Sequence, residues 1–313
     1  DTDAADATIA QDTTSDFSVS LSETTDGGVG IASSFMLANE SDTGLQTSGL
    51  TLTFTDGAKL DVINGGNAAA SHDVSVPGGA GEAGITITAT NRAADGLDFF
   101  AKATVVGFEW HSAADFMADG LKVGASFSAD TGAAADASAT LESSWGLGAT
   151  YVTSAGDTSL TIGAGLADSE YKDSGPQPSS GSNGFHVGLS AVTGDLTIAA
   201  GYANGDLVSA GKTGATGEYE VNDNTVTKVG AKYVTGDVTL SIGYTSGAGK
   251  DSTTLGTAGT TEDAKDTLAA GISYAVASGV TANIGYVDVE SQVDGSSETS
   301  GGTSWYIGAN MAF

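Results

Sequence analysis

Bulky apolar residues fall at every second position over long stretches of this chain. Across residues 266–277, Leu268, Ala270, Ile272, Tyr274 and Val276 alternate with Thr267, Ala269, Gly271, Ser273 and Ala275. Residues 280–290 repeat the pattern with Val280, Ala282, Ile284 and Tyr286 against Thr281, Asn283 and Gly285. The chain closes on Trp305, Ile307, Ala309, Met311 and Phe313, with Tyr306, Gly308, Asn310 and Ala312 between them. Successive side chains of a strand point to opposite faces, so each stretch predicts a strand with one apolar and one small or polar face.

The same period runs back through the chain. Phe17, Val19 and Leu21 lead to Asp26, Gly27 and Gly28, after which Val29, Ile31, Ser33, Phe35 and Leu37 return. That is a hairpin with its turn chemistry in place. A shorter hairpin places Leu50, Leu52 and Phe54 before Asp56 and Gly57, and Leu60 and Val62 after them. Leu121, Val123, Ala125 and Phe127 alternate in turn. Later hairpins turn at Gly156 and Asp157, at 193–195, at 235–237, and at Ser278 and Gly279. Their opposite ends carry the long polar stretches 168–183, 205–224, 247–265 and 291–302. Two segments break the pattern. Residues 1–16 predict an acidic, poorly patterned arm or weak first strand, and residues 64–84 predict a long Gly-rich excursion. Stretches 85–90 and 97–106 are further strand candidates, while 107–118 fits both a helical turn and a strand.

Composition narrows the class. The chain has 313 residues, with 10 basic against 39 acidic ones and a net charge of −29. That field repels phosphates, so nucleic acid is excluded as a partner. There is no cysteine, hence no disulfide framework and no thiolate metal site. No run approaches the roughly 18 apolar residues of a membrane helix, so a membrane protein of this sequence has to be a closed barrel. Apolar residues make up 40% of the chain, more than disorder would carry.

A soluble β-sandwich also alternates, but it needs charged residues on its wet face. Here the lean face is largely Gly, Ser, Thr and Ala, and stretches 184–193 and 196–204 carry no Asp, Glu, Lys or Arg. Short turns at one end, long loops at the other and lean inner faces predict an all-β transmembrane antiparallel barrel. Counting segments gives about 16 strands. The expected organisation is one barrel domain over 17–313, with short periplasmic turns, long external loops and one loop folded into the lumen. Phe185, Tyr202 and Tyr244 fall at one rim, as in an aromatic girdle.

These features resemble the general diffusion porins of Gram-negative outer membranes, over roughly residues 16–313. The most specific match is the end of the chain, where Trp305, Ile307, Met311 and Phe313 fit the family's C-terminal assembly signal. The resemblance implies a homotrimer in the bacterial outer membrane, bounded by lipid and lipopolysaccharide and exported with its signal peptide already removed. It implies a water-filled channel for passive diffusion of small hydrophilic solutes and ions, and it places 64–84 where the family's constriction loop lies. Two departures stand out. Residues 1–16 lack the family's Gly-Tyr-Gly-Arg first strand, and the chain has a single arginine, Arg92, with nine lysines. No strong transverse field across the constriction is therefore expected.

Candidate pore-constriction residues are His72, Asp73 and Glu82 on the inserted loop, with Lys59, Lys102 and Arg92 on the wall. Lys228, Lys232 and His186 are expected to face the lumen. Cation preference follows from the net charge. No cofactor is required; Asp168, Glu170 and Asp173 are a weak Ca2+ or Mg2+ candidate, since hard cations take oxygen ligands. No enzyme motif is present, and His111 beside Glu109 and Asp115 reads as structural. His186 and Ser190 stand four residues apart on one strand face, roughly 13 Å, beyond hydrogen-bond reach. Two alternatives remain open: a substrate-selective outer-membrane channel, against which the sparse aromatic lining argues, and a calcium-binding secreted or surface-layer β-protein.

Overall fold

The computed structural model describes residues 16–38, 46–47, 49–62, 66–78, 106–129, 140–172, 181–208, 220–252, 261–292 and 299–311. Within them the chain forms β1 (Asp16–Thr24), β2 (Gly30–Ala38), β3 (Gln46–Thr47), β4 (Leu50–Thr53), β5 (Lys59–Val62), α1 (Ala68–Ser71), β6 (Val106–His111), β7 (Leu121–Ala129) and β8 (Thr140–Ala155). There follow β9 (Thr158–Lys172), β10 (Gly181–Thr193), β11 (Leu196–Val208), β12 (Glu220–Thr235), β13 (Val238–Ser252), β14 (Thr261–Ala277), β15 (Val280–Gln292) and β16 (Thr299–Met311). All sixteen strands belong to one sheet, in which each pairs antiparallel with its neighbour along the chain and β3 pairs with β2 to the side. This is the wall of a transmembrane β-barrel. Strands β1 and β16 stand at its two ends, and no ladder joins them among the described residues.

Alternation sets the two faces. Leu189, Ile198, Ile242 and Ile272 are 48%, 54%, 51% and 46% exposed, whereas His186, Ala199 and Ala203 on the opposite face are each 2% exposed. The bulky side chains therefore have no second sheet against them, as a sandwich core would require. The buried apolar residues are mostly alanine: Ala69, Ala167 and Ala203 cluster with Val226 where α1 meets the wall. An outward apolar face and a lean inward face are what a lipid-embedded barrel needs.

One rim is built from tight turns. Gly156, Gly194, Gly236 and Gly279 take φ of 62°, 55°, 57° and 75°, the left-handed region a two-residue hairpin turn demands. Neighbouring turns are stitched sideways, since Val234 N–H donates to Asp195 O at 3.0 Å and Ala275 N–H to Asp237 O at 2.9 Å. At the other end the strands run further than the alternation indicates. β9, β12 and β14 have 15, 16 and 17 residues, against about ten needed to cross the hydrocarbon. The stretches 168–183, 205–224 and 247–265 are thus partly strand. Backbone hydrogen-bonded ladders continue there without an apolar period. Of residues 107–118, which suit helix and strand alike, 107–111 belong to β6 and the rest form the turn that leads to β7.

Candidate pore constriction and the inserted segment

Residues 66–78 leave the wall and lie against its inner face. Asn67 caps α1, its Oδ1 accepting the Ala69 N–H at 3.0 Å, and alanine is the best helix former for the turn that follows. Ala68 and Ala69 are completely buried. Their small side chains let the helix press on the sheet.

What it presses on is a belt of glycines. Gly124 pairs with Gly148, Gly148 with Gly165, Gly163 with Gly188, Gly188 with Gly201, and Gly230 with Gly243, so the belt crosses β7 to β13. A Cβ at Gly124 would stand 2.8 Å from His72 Nε2, one at Gly165 2.7 Å from Ala69 Cα, and one at Gly188 2.8 Å from Val74 Cβ. At Gly243 it would stand 2.5 Å from Pro77 O, and at Gly230 it would overlap that oxygen. The missing side chains are the space the segment occupies. Gly230→Val is accordingly expected to lift the Pro77 end while the barrel still assembles. A cysteine placed at Val76 reports it, reacting several-fold faster with a water-soluble thiol reagent; an unchanged rate contradicts the fit.

Three polar anchors hold the segment. Glu109 on β6 is 4% exposed and accepts the Gly66 N–H at 2.6 Å and the Ser71 hydroxyl. The Ser126 hydroxyl on β7 accepts the Ala68 N–H at 2.8 Å. His186 on β10 donates through Nε2 to Ala69 O at 2.6 Å, which leaves Nδ1 turned to Asp73 Oδ1 at 3.6 Å.

His72 is itself wedged between segment and wall. Its Nδ1 lies 2.7 Å from Thr150 Oγ1, and its Nε2 is buried with no hydrogen-bond partner among the described residues. Burial first, then the charge of His111, hold its pKa below the ordinary 6.5. The docked state therefore favours neutral His72, whereas an undocked His72 takes a proton near 6.5. Docking is at full strength above that value and weakens as pH falls through it toward the lower docked pKa. Cysteine reactivity at position 76, taken relative to a fully exposed control cysteine because the thiolate itself falls with pH, should rise on acidification, and His72→Gln should flatten that response. A profile unchanged by the substitution would exclude His72 as its source.

Near the foot of β5 and β6 lies a second polar group. His111 Nε2 is 3.0 Å from Asp61 Oδ2 and 3.7 Å from Glu109 Oε1, and Asp61 Oδ1 accepts the Thr51 hydroxyl. Adjacency in sequence pointed to Asp115 beside His111 and Glu109. Asp115 instead sits in the turn after β6 at φ 57° and accepts the Gly120 N–H at 2.6 Å. Asp61 takes its place because β5 pairs with β6 and sets Asp61 opposite Glu109.

Of the other sequence candidates, Lys59 pairs across the strands with His111. Lys228 and Lys232 share the inward face of β12 with Gly230, as Lys122 does with Gly124 on β7. Asp73 and Lys228 line one cavity of about 230 Å3 between the segment and β11 and β12. Glu82, Arg92, Lys102, Asp173 and Phe313 lie outside the described residues, as do the strand candidates 85–90 and, up to residue 105, 97–106. Asp168 and Glu170 follow one face of β9 and join no group of three metal-ligating side chains among the described residues. Trp305, Ile307 and Met311 are 71%, 86% and 62% exposed on one face of β16.

A one-sheet antiparallel wall, bulky outside and lean inside, with a chain segment laid across its inner face, defines an outer-membrane β-barrel channel. The chain belongs to the Gram-negative porin family, whose model matches residues 1–295. Solved structures of the same fold include OmpT of Vibrio cholerae in its trimer form, with TM-score 0.61 and 16% identity over 95% of this chain and 91% of that one. Another is an anion-selective porin from Comamonas acidovorans, with TM-score 0.64 and 12% identity over 96% and 90% of the two chains. A third is the outer membrane channel DcaP of Acinetobacter baumannii, with TM-score 0.56 and 13% identity over 94% and 84%. A comparison with curated protein sequences returns no match.

Proposed function

We propose that this porin is a passive diffusion channel for small hydrophilic solutes and ions, preferring cations, and that it works as a homotrimer among outer-membrane lipid and lipopolysaccharide. The observation that carries this reading is the segment 66–78 bedded on the inner wall across β7 to β13. A segment so placed narrows the lumen, and a narrowing sets which solutes pass by size and charge.

Cation preference rests on where the charge stands. The turns at one mouth carry Asp26, Asp56, Asp157, Asp195 and Asp237, all exposed, within a chain of net charge −29. Such a field raises the local concentration of cations at the entrance. Lys59, Lys122, Lys228 and Lys232 on the inner face temper it. The preference is therefore modest and falls as salt screens the mouth, because the Debye length shrinks to about 10 Å at 0.1 M. The fold does not fix its sign, since one structural neighbour is described as anion-selective.

The test is a planar-bilayer recording across a potassium chloride gradient. Stepwise conductance with a cation-signed zero-current potential that shrinks at high salt is expected. An anion-signed potential at low salt would overturn the preference, and no conductance from folded protein would overturn the channel.

A further inference from the structure

We propose that Asp61, Glu109 and His111 form a binding site for a divalent transition-metal ion, zinc being the type case, on the inner wall of the barrel. Asp61 Oδ2 lies 3.0 Å and Glu109 Oε1 lies 3.7 Å from His111 Nε2, and one ligand atom of each residue falls within 4.8 Å of the others. Two donors about 2.0–2.1 Å from a tetrahedral ion stand about 3.3 Å apart. The observed separations straddle that figure, so an ion fits where the imidazole and carboxylates now meet directly.

The surroundings suit an ion. Thr51 holds Asp61, while Gly66 and Ser71 hold Glu109, so both carboxylates are oriented before any metal arrives. An ionised carboxylate has about four lone-pair sites, so these contacts leave capacity for a metal.

A second observation comes from outside the cluster. His72 is 7% exposed, and its Nε2 is buried with no partner among the described residues. That nitrogen is directed at Gly124, which pairs with His111 across β6 and β7. Its other nitrogen is already fixed on Thr150 at 2.7 Å. His72 is not one of the three side chains whose ligand atoms all lie within 4.8 Å of one another, so it borders the site and is not counted among its ligands.

Donor chemistry selects the ion. Imidazole with carboxylates suits zinc and its first-row neighbours, whereas calcium wants six to eight oxygens and magnesium keeps its water. A bound divalent ion cancels the charge of the two carboxylates beside the inserted segment. Given the channel reading, cation current falls when the site fills.

The full chain, refolded in detergent and stripped with a chelator, is titrated with zinc chloride in a calorimeter. Binding of about one ion per chain at micromolar concentration is expected. His111→Ala and Asp61→Asn should each weaken it at least tenfold, with magnesium chloride silent. The isosteric Asp61→Asn variant guards against a failure to fold, which heat-modifiable gel migration reports. In a bilayer, micromolar zinc should reduce the current and chelator should restore it. Absence of zinc binding, or equal binding by parent and both variants, overturns the site and leaves the channel standing. Zinc binding by a protein that conducts nothing supports the site and overturns the channel.

Discussion

Replacing residues 67–77 by a flexible Gly-Ser linker is expected to raise single-channel conductance several-fold. The resistance of a water-filled tube is set by its narrowest section, and this segment lies across the inner face of seven consecutive strands, β7 to β13. The same variant should lose part of its size exclusion, admitting larger neutral solutes in a liposome-swelling assay. Glu109→Ala is the graded form of the experiment. It removes the acceptor shared by the Gly66 N–H and the Ser71 hydroxyl, which bracket α1. A hydrogen bond to a charged acceptor is worth about 1.5–3 kcal/mol, so losing two weakens docking by several kcal/mol. Current through Glu109→Ala should fluctuate between the parental level and that of the linker variant. Conductance unchanged in both variants would mean that the segment does not limit flow.

Leu189→Arg is expected to destabilise the folded barrel by about 2–4 kcal/mol, the cost of an arginine facing lipid near the midplane of a membrane barrel. The next residue is the control. Ser190, half-buried, sits on the opposite face of the same strand. Ser190→Arg turns the same charge away from lipid and toward the lumen, where its long side chain reaches water, at a fraction of that cost. Urea unfolding in lipid vesicles, followed by tryptophan fluorescence, measures both. The contrast isolates the face, because propensity, strand and depth are shared. Equal losses would remove the distinction between the two sides.

The wall was legible in the sequence because its cause is local. Period-two alternation and turns such as Gly194 with Asp195 act over a few residues, and the strands around them follow. The lean face was also visible, but its meaning was not. Glycines such as Gly148, Gly165 and Gly230 looked merely small, whereas in the structure they are the bed of a segment from much earlier in the chain. A signal was there: the glycines recur at inward positions of successive hairpins, beyond what turns require.

Partnerships between distant residues left no such trace. His111 meets Asp61, fifty residues away, because β5 pairs with β6 across an excursion that carries no period. Sequence proximity offered Asp115 instead, and a left-handed turn carries Asp115 off. The strand ends were missed for a different reason. The ladders of β12 and β14 are held by backbone hydrogen bonds and continue past the point where the apolar period stops.

The whole account rests on which side of each strand meets hydrocarbon, and the chain is suited to a direct test because it contains no cysteine. Single cysteines introduced in turn from 268 to 274 on β14, in protein reconstituted into vesicles, are exposed to a charged thiol reagent and to a lipid-borne quencher. Positions 269, 271 and 273 should react with the reagent and ignore the quencher, while 268, 270, 272 and 274 do the reverse. Reactivity that fails to alternate, or that alternates with the opposite phase, would contradict the barrel described above.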